Sequence, residues 1–302
     1  MSDREALLRA IVAAREEDTP RLAFADWLDE HGDENDRRQA EFIRVQIALV
    51  RQEAHSRAWR QAAARNKELL DLRRQWVPPE IADCPLWRVY EFERGFVGHV
   101  QLYGQAQIEG LPGGPITYRY VDFADAWFAA APITSVALFP DGMGSRGSIA
   151  WLLDHPTFRH VRRLDLTDCS FRPREVGRLA DAANAAGLRE LVLTGSGIDS
   201  QSVRLLARRA GFTNLARLDL SRSQNVSPDS LTELLDSARF GRLTDLSLRT
   251  NPHLGDETAA LVARSAVAPR LKRLVLSECS IGPVGVRALL EDDRLAALES
   301  LA

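Results

Sequence analysis

The feature that most constrains this chain is a leucine pattern that returns every 27 or 28 residues through its second half. VRRLDLTDCSF begins at Val161, LRELVLTGSGI at Leu188, LARLDLSRSQNV at Leu215, LTDLSLRTNPHL at Leu243 and LKRLVLSECSI at Leu271. ITSVALF from Ile133 fits the template one period earlier and LESLA from Leu298 one period later, so seven registers can be traced. LxxLxL alternates as a short strand does, and helical stretches such as VGRLADAAN, VRLLARRA, LTELLDSA and VRALLEDD follow it. Strand plus helix is the repeating unit. Pro173, Pro228 and Pro283 are each 55 residues apart, where a proline opens a first helical turn. The ninth position holds Cys169, Ser196, Ser223, Asn251 and Cys279, small polar residues suited to hydrogen-bond the backbone of the turn that leaves the strand.

Recurring in register across residues 133–301, this motif resembles leucine-rich repeats, and a length near 28 with a full helix is similar to the ribonuclease-inhibitor-like class of that family. The resemblance implies a right-handed α/β solenoid with a parallel sheet on the concave side and helices on the convex side. No repeat can bury its own leucines; each buries them against the next.

All six tryptophans and all four tyrosines lie before residue 152, which separates a mixed core from the uniform leucine array. The expected organisation is an all-α module over residues 1–80, a junction and N-terminal cap over 81–131, and repeats over 132–302. EALLRAIVAA places Leu7, Leu8 and Ile11 on one helical face; Thr19-Pro20 opens a second helix that ends at His31-Gly32. QAEFIRVQIALV is a third helix, apolar over a wide arc, and a fourth runs from about 56 to 76. TPRLAFADWLDEHGD together with AEFIRVQIAL resembles the signature of the repeat-companion domain, a short bacterial module found ahead of leucine-rich repeats. The resemblance covers about residues 4–52, and LLDLRRQW followed by ERGFVGHVQL is similar to that family's junction to its repeats. One departure is ENDRR before Ala40, expected to lengthen a loop. The family carries no activity that transfers to a residue of this chain.

Several stretches mimic chemistry. Asp26, Asp29 and Glu30 are offset from the Phe24-Trp27-Leu28 face, which makes them a solvated stripe or partners for Arg15, Arg21 or Arg44 rather than a metal site. GMGSRG, residues 142–147, stands between a strand and a helix with Asp168 21 residues beyond, the layout of a dinucleotide fingerprint. Against it, the repeat explains both neighbouring strands, and an ordinary glycine-rich turn is the simpler account; a nucleotide-binding enzyme using Gly142–Gly147 is kept as the alternative function. There is no GxSxG, Cys84 has no histidine near it in sequence, and His155 and His160 flank a repeat start in capping or buried roles. No catalytic residue, metal ligand or cofactor is expected.

Net charge is −3, spread as −2, −3 and +2 over residues 1–80, 81–151 and 152–302, which gives no basic patch to select nucleic acid. Three scattered cysteines without CxxC suit a reducing compartment, the opening MSDREALLRA lacks the basic start and apolar h-region expected of a signal peptide, and no apolar run reaches membrane length. The expected location is the cytoplasm. On the concave face the third column reads Arg163, Glu190, Arg217, Asp245, Arg273, alternating in sign and so partly self-neutralising. Arg162, Arg189, Arg222, Arg249 and Lys272 stand outside that ladder and are the expected partner contacts. These features point to a non-enzymatic scaffold that binds another protein, with the N-terminal helices capping the array or acting as its effector.

Overall fold

Residues 2–82, 87–102, 105–108, 116–138, 149–209, 211–223 and 225–302 are described by a computed structural model, with backbone alone at 87–89, 105–108 and 116–119. Two compact units divide them: residues 1–102 with 106–135, and 103–105 with 136–302.

The first unit opens with helices whose ends are chemically marked. In α1 (Asp3–Ala13) the Ser2 hydroxyl accepts from the Glu5 N–H and Glu5 accepts from the Ser2 N–H, a capping box. α2 (Thr19–His31) carries Pro20 in its first turn and stops at Gly32. α3 spans Glu34–Arg51, so ENDRR is its first turn and not the longer loop expected. The reason is local: Asp33 and Asp36 form a second capping box, and Arg38 pairs with Glu34 one turn away. α4 (Arg57–Leu70), a 3₁₀ turn (Arg73–Trp76) and α5 (Pro79–Ala82) complete the helical run.

α3 is apolar over a wide arc because it serves two clusters. Ile43 and Ile47 join Ile11, Phe24, Leu28 and Phe96, while Phe42 joins Leu69 and Trp76. Phe96 comes from a β-hairpin, β1 (Trp87–Glu93) with β2 (Phe96–Leu102), so this unit is not purely helical. β3 (Gln105–Ile108), β4 (Ile116–Arg119) and α6 (Ala124–Ala130) follow. The hairpin closes through Arg94-Gly95, both at positive φ (53° and 87°), as tight two-residue loops require. Gly95 also lies against Ile43 so closely that a methyl would overlap it, and its N–H donates to Gln46 Oε1 at 2.7 Å.

Arg21 is buried to 2% exposure. Its guanidinium donates to the carbonyls of Glu17 and Arg15 and stacks 5.9 Å from the Phe96 ring centroid. Burial, with Arg94 adding repulsion, pushes its pKa down to about 10, which leaves it charged at neutral pH.

In the second unit strands and helices alternate without exception among the described residues. The strands are β5 (Ser135–Leu138), β6 (Arg163–Asp165), β7 (Glu190–Val192), β8 (Arg217–Asp219), β9 (Asp245–Ser247), β10 (Arg273–Val275) and β11 (Ser300–Leu301). The helices between them are α7 (Ala150–Leu153), α8 (Pro173–Asp181), α9 (Ser200–Arg209), α10 (Pro228–Leu235), α11 (Gly255–Arg264) and α12 (Pro283–Leu290). Strand order follows chain order from β5 to β11, and every pair from β6 onward is parallel. Registers match the leucine template: Leu164, Leu191, Leu218, Leu246, Leu274 and Leu301 face one another in turn. Each fully buried leucine contributes about 1.5–3 kcal/mol, and only because a neighbouring repeat covers it. A further buried column, Phe158, Ala185, Phe212, Phe240, Ala268 and Leu295, sits three residues before each register, within or beside a 3₁₀ or turn segment. It is present in the sequence but carries no fixed residue type, which hides it from a leucine template.

The ninth position stitches each repeat to the one before. Cys169 Sγ reaches the Leu138 carbonyl at 3.8 Å, Ser196 Oγ the Leu166 carbonyl, and Cys279 Sγ the Leu248 carbonyl at 2.9 Å. Asn251 does more: its amide donates to Leu220 at 3.1 Å and Leu248 at 2.6 Å, and its carbonyl accepts from the Ser223 N–H at 2.7 Å. Ser223 is the exception, with a buried hydroxyl that has no hydrogen-bond partner among the described residues.

Two outcomes follow for urea unfolding of the intact chain. Asn251→Ala, which strands a buried N–H and a buried carbonyl, lowers stability by about 3 kcal/mol, whereas Ser223→Ala changes it by less than about 1 kcal/mol. Gly95→Ala costs about 3 kcal/mol through positive-φ strain and overlap with Ile43, read as an earlier loss of the tryptophan signal, since five of the six tryptophans lie in the first unit.

Candidate protein-binding face

Strands of three residues present only their third and fifth template positions on the open side of the sheet, because the fourth and sixth point into the core. Apart from Asp165, these two columns line a groove of about 260 Å³. The third column is the alternating ladder, and its charges are joined: Arg163 to Glu190 at 2.7 Å, Arg217 to Glu190 at 3.7 Å and to Asp245 at 3.6 Å, and Arg273 to Asp245. These pairs are half-exposed and contribute little stability each, but they fix five long side chains across the groove. The fifth column is Asp165, Val192, Asp219, Ser247 and Val275, all half-buried. Asp165 accepts from the N–H and hydroxyl of Thr167, and Asp219 from the N–H of Ser221, so both carboxylates are partly used in ordering the turn.

The turn itself is left-handed. Asp168, Gly195, Arg222, Thr250 and Glu278, all at the eighth position, have φ between 57° and 64°. Only one is glycine, and Thr250 is β-branched, for which this region is a marked departure. The glycine has a steric reason as well. Asp168 and Arg222, two repeats apart, form an ion pair at 3.2 Å above Gly195, and a methyl there would overlap the Asp168 carboxylate. Thr250 donates to Glu278 at 3.1 Å and Arg249 pairs with Glu278 at 3.1 Å; these two bonds hold the Glu278 carboxyl below the usual range.

The five expected contact residues do not line the groove; they stand at its two ends. Arg162, Arg189 and Lys272 immediately precede strands β6, β7 and β10. Arg162 turns back to the Arg159 carbonyl at 2.8 Å, and Lys272 pairs with Glu299 at 2.9 Å. Arg222 and Arg249 follow strands β8 and β9 at the opposite end and carry the pairs with Asp168 and Glu278. The fifth column points the same way as the ladder, and the two-residue period of a strand is the signal in the sequence that marks it.

The other candidate residues have structural partners. Arg44 spans Asp26 and Asp29 at 2.7 Å each, so the acidic stripe of α2 is an inter-helix clamp to α3. His31 stacks on Trp27 with centroids 5.3 Å apart. His155 caps the 3₁₀ turn Pro156–His160 and contacts the Thr157 hydroxyl at 2.8 Å. Among the described residues no group of three or more histidine, cysteine or acidic side chains converges to hold a metal. Gly142–Gly147 and Cys84 lie outside the described residues; Asp168, the acidic member of that fingerprint layout, is the partner of Arg222.

The alternation of parallel strand and helix in register defines the second unit as an α/β repeat array. A family model described as leucine-rich repeat matches residues 269–290, which hold the strand β10 and the helix α12 of one unit. That match and the parallel sheet support leucine-rich repeats in this part of the chain. No curated protein matches the sequence. No helix among the described residues is long and apolar enough to cross a membrane.

The two described cysteines give a direct check on the ninth-position column. Burial, reinforced by Asp165 and Asp168, pushes the Cys169 thiol up to about 12, and burial also raises Cys279. At pH 8 Cys169 is therefore protonated, and Cys279 is held further toward the thiol than a free cysteine. Iodoacetamide at pH 8 is expected to leave both unmodified in the folded protein and to alkylate both in urea, as read by peptide mass mapping.

Proposed function

We propose that this chain is a non-enzymatic scaffold that holds another protein on the open face of its repeat sheet. The observation that carries the reading is the groove itself: a continuous row of side chains from β6 to β10, fixed by mutual ion pairs, with Val192 and Val275 as apolar contacts between them. A surface so ordered gives up little conformational freedom on binding, which favours association through a large, shallow footprint. Arg162, Arg189, Arg222, Arg249 and Lys272 flank the row at both ends, where a partner wider than the groove meets them. In this reading the repeats are of the ribonuclease-inhibitor-like class, residues 4–52 are the repeat-companion module they resemble, and the protein works in the cytoplasm on a protein partner, without nucleic acid, membrane or cofactor.

The test uses the full chain as bait in native extract, with cross-linking and mass spectrometry to map contacts. Arg222→Glu with Arg249→Glu breaks only exposed pairs, so folding is retained within about 1 kcal/mol. The expected result is a partner cross-linked near the groove by the native chain, lost with this double reversal or with Val192→Asp, and kept with Arg204→Glu plus Arg208→Glu on helix α9. Retention by both the double reversal and Val192→Asp would reject the face.

A further inference from the structure

The repeat array leaves apolar side chains in water on one end face. β11 is the end of the sheet, so it and α12 have a neighbouring repeat on one side only. Positions that α8 to α11 bury are open here. Val176, Val203, Leu231 and Ala259, spaced 27 or 28 residues apart, are at most 1% exposed, whereas Val286, next in that column, is 43% exposed. Ala180, Ala207, Leu235 and Ala263 are at most 4% exposed, and Leu290 after them is 73% exposed. Leu301 repeats the pattern on the strand, exposed where Leu246 and Leu274 are buried. The rim departs from the template too, because Val284 stands where the earlier repeats hold Arg174, Gln201, Asp229 and Glu257, all exposed. Grouped apolar side chains of this size mark an interaction surface.

The charges on the same face say what fits it. In earlier repeats the residues at the positions of Arg287 and Glu291 reach forward to the next helix: Arg204 and Arg208 of α9 hold Glu233 of α10 at 3.1 and 2.9 Å, and Asp181 of α8 pairs with Arg209 of α9. Among the described residues Arg287 and Glu291 reach only each other, at 3.8 Å, with side chains 72% and 71% exposed. One cation and one anion a helical turn apart form a set that complements itself when the helix is turned end for end. The helix has the polarity to match. α12 carries no acid in its first turn and runs out into Glu291-Asp292-Asp293, at the negative end of its own dipole. An antiparallel helix brings its positive end to those acids, which a parallel one does not.

We propose that a second copy of this chain covers this face, α12 lying antiparallel to the same helix of its partner about a two-fold axis. Contact through one shared face requires such an axis, because each residue and its counterpart must meet reciprocally. Val286 and Leu290 are then buried between the copies, and Arg287 of each pairs with the partner's Glu291. The face lies outside the repeat groove, so the two sites stand or fall separately.

The test is sedimentation equilibrium of the full chain from about 1 to about 200 µM, where a monomer–dimer equilibrium with Kd on the order of 10 µM is expected of a small interface. Leu290→Asp changes a side chain already in solvent, so circular dichroism is unaltered, and the dimer weakens about thirtyfold or more. Arg287→Glu and Glu291→Arg each weaken it about tenfold, since each sets like charges against one another at both contacts. Mixing these two single variants restores opposite charges at both contacts, and the mixed dimer is expected within about threefold of the native affinity. A native chain that stays monomeric throughout the range overturns the proposal. So does a dimer indifferent to Leu290→Asp, or a mixture that associates no better than its components.

Discussion

A strand of three residues cannot make a sheet on its own hydrogen bonds, and everything in the second unit follows from how that shortage is met. Leucines at the fourth and sixth template positions are dry only because the next repeat lies on them, so burial is a property of the stack and not of any one turn. The ninth-position side chains add a polar seam to this apolar one. Each but Ser223 donates across to the strand-end carbonyl of its predecessor, which satisfies a buried acceptor that the short strand leaves open. Thiol, hydroxyl and amide all serve, because the requirement is a donor of small size and not a particular chemistry.

The same economy shapes the exposed side. Once the core has claimed every second strand residue, the remaining positions form rows at the strand spacing, where like charges would repel. Alternation of arginine with glutamate or aspartate turns that hazard into a chain of ion pairs. At the strand ends the left-handed turn lifts the eighth residue out of the sheet, and only there do side chains reach across two repeats, as Asp168 and Arg222 do over Gly195. The first unit solves a different problem. A long helix, α3, is wetted by neither of its two apolar clusters, and a buried arginine and a hairpin glycine close the space around it.

Much of this was legible from residue spacing, for identifiable reasons. Leucine period placed the strands because it reports burial directly, and Pro173, Pro228 and Pro283 do open α8, α10 and α12 because a first turn tolerates a missing N–H. The acidic stripe of α2 was readable as solvated or salt-bridged, and Arg44, one of its anticipated partners, holds it. Other features escaped. ENDRR lacks any apolar residue, so periodicity is blind to it, and a capping box at Asp33 decided its state. The hairpin's contribution of Phe96 to the helical core is a long-range contact with no local signature. The fifth column escaped because only the ladder at the third position draws notice by its alternating sign; the expected contact cations stand at the ends of the groove that these two columns line.

Ser223 closes the account. In a seam otherwise bridged at each described rung, its hydroxyl stops short, leaving one interval between adjacent repeats without the side-chain stitch found on either side. The Asp168–Arg222 ion pair, which reaches across two repeats, passes over that interval. The same interval is closed instead at the start of α9, where the Ser200 hydroxyl donates to the Asn225 carbonyl at 2.9 Å and accepts from the Ser227 N–H at 2.9 Å.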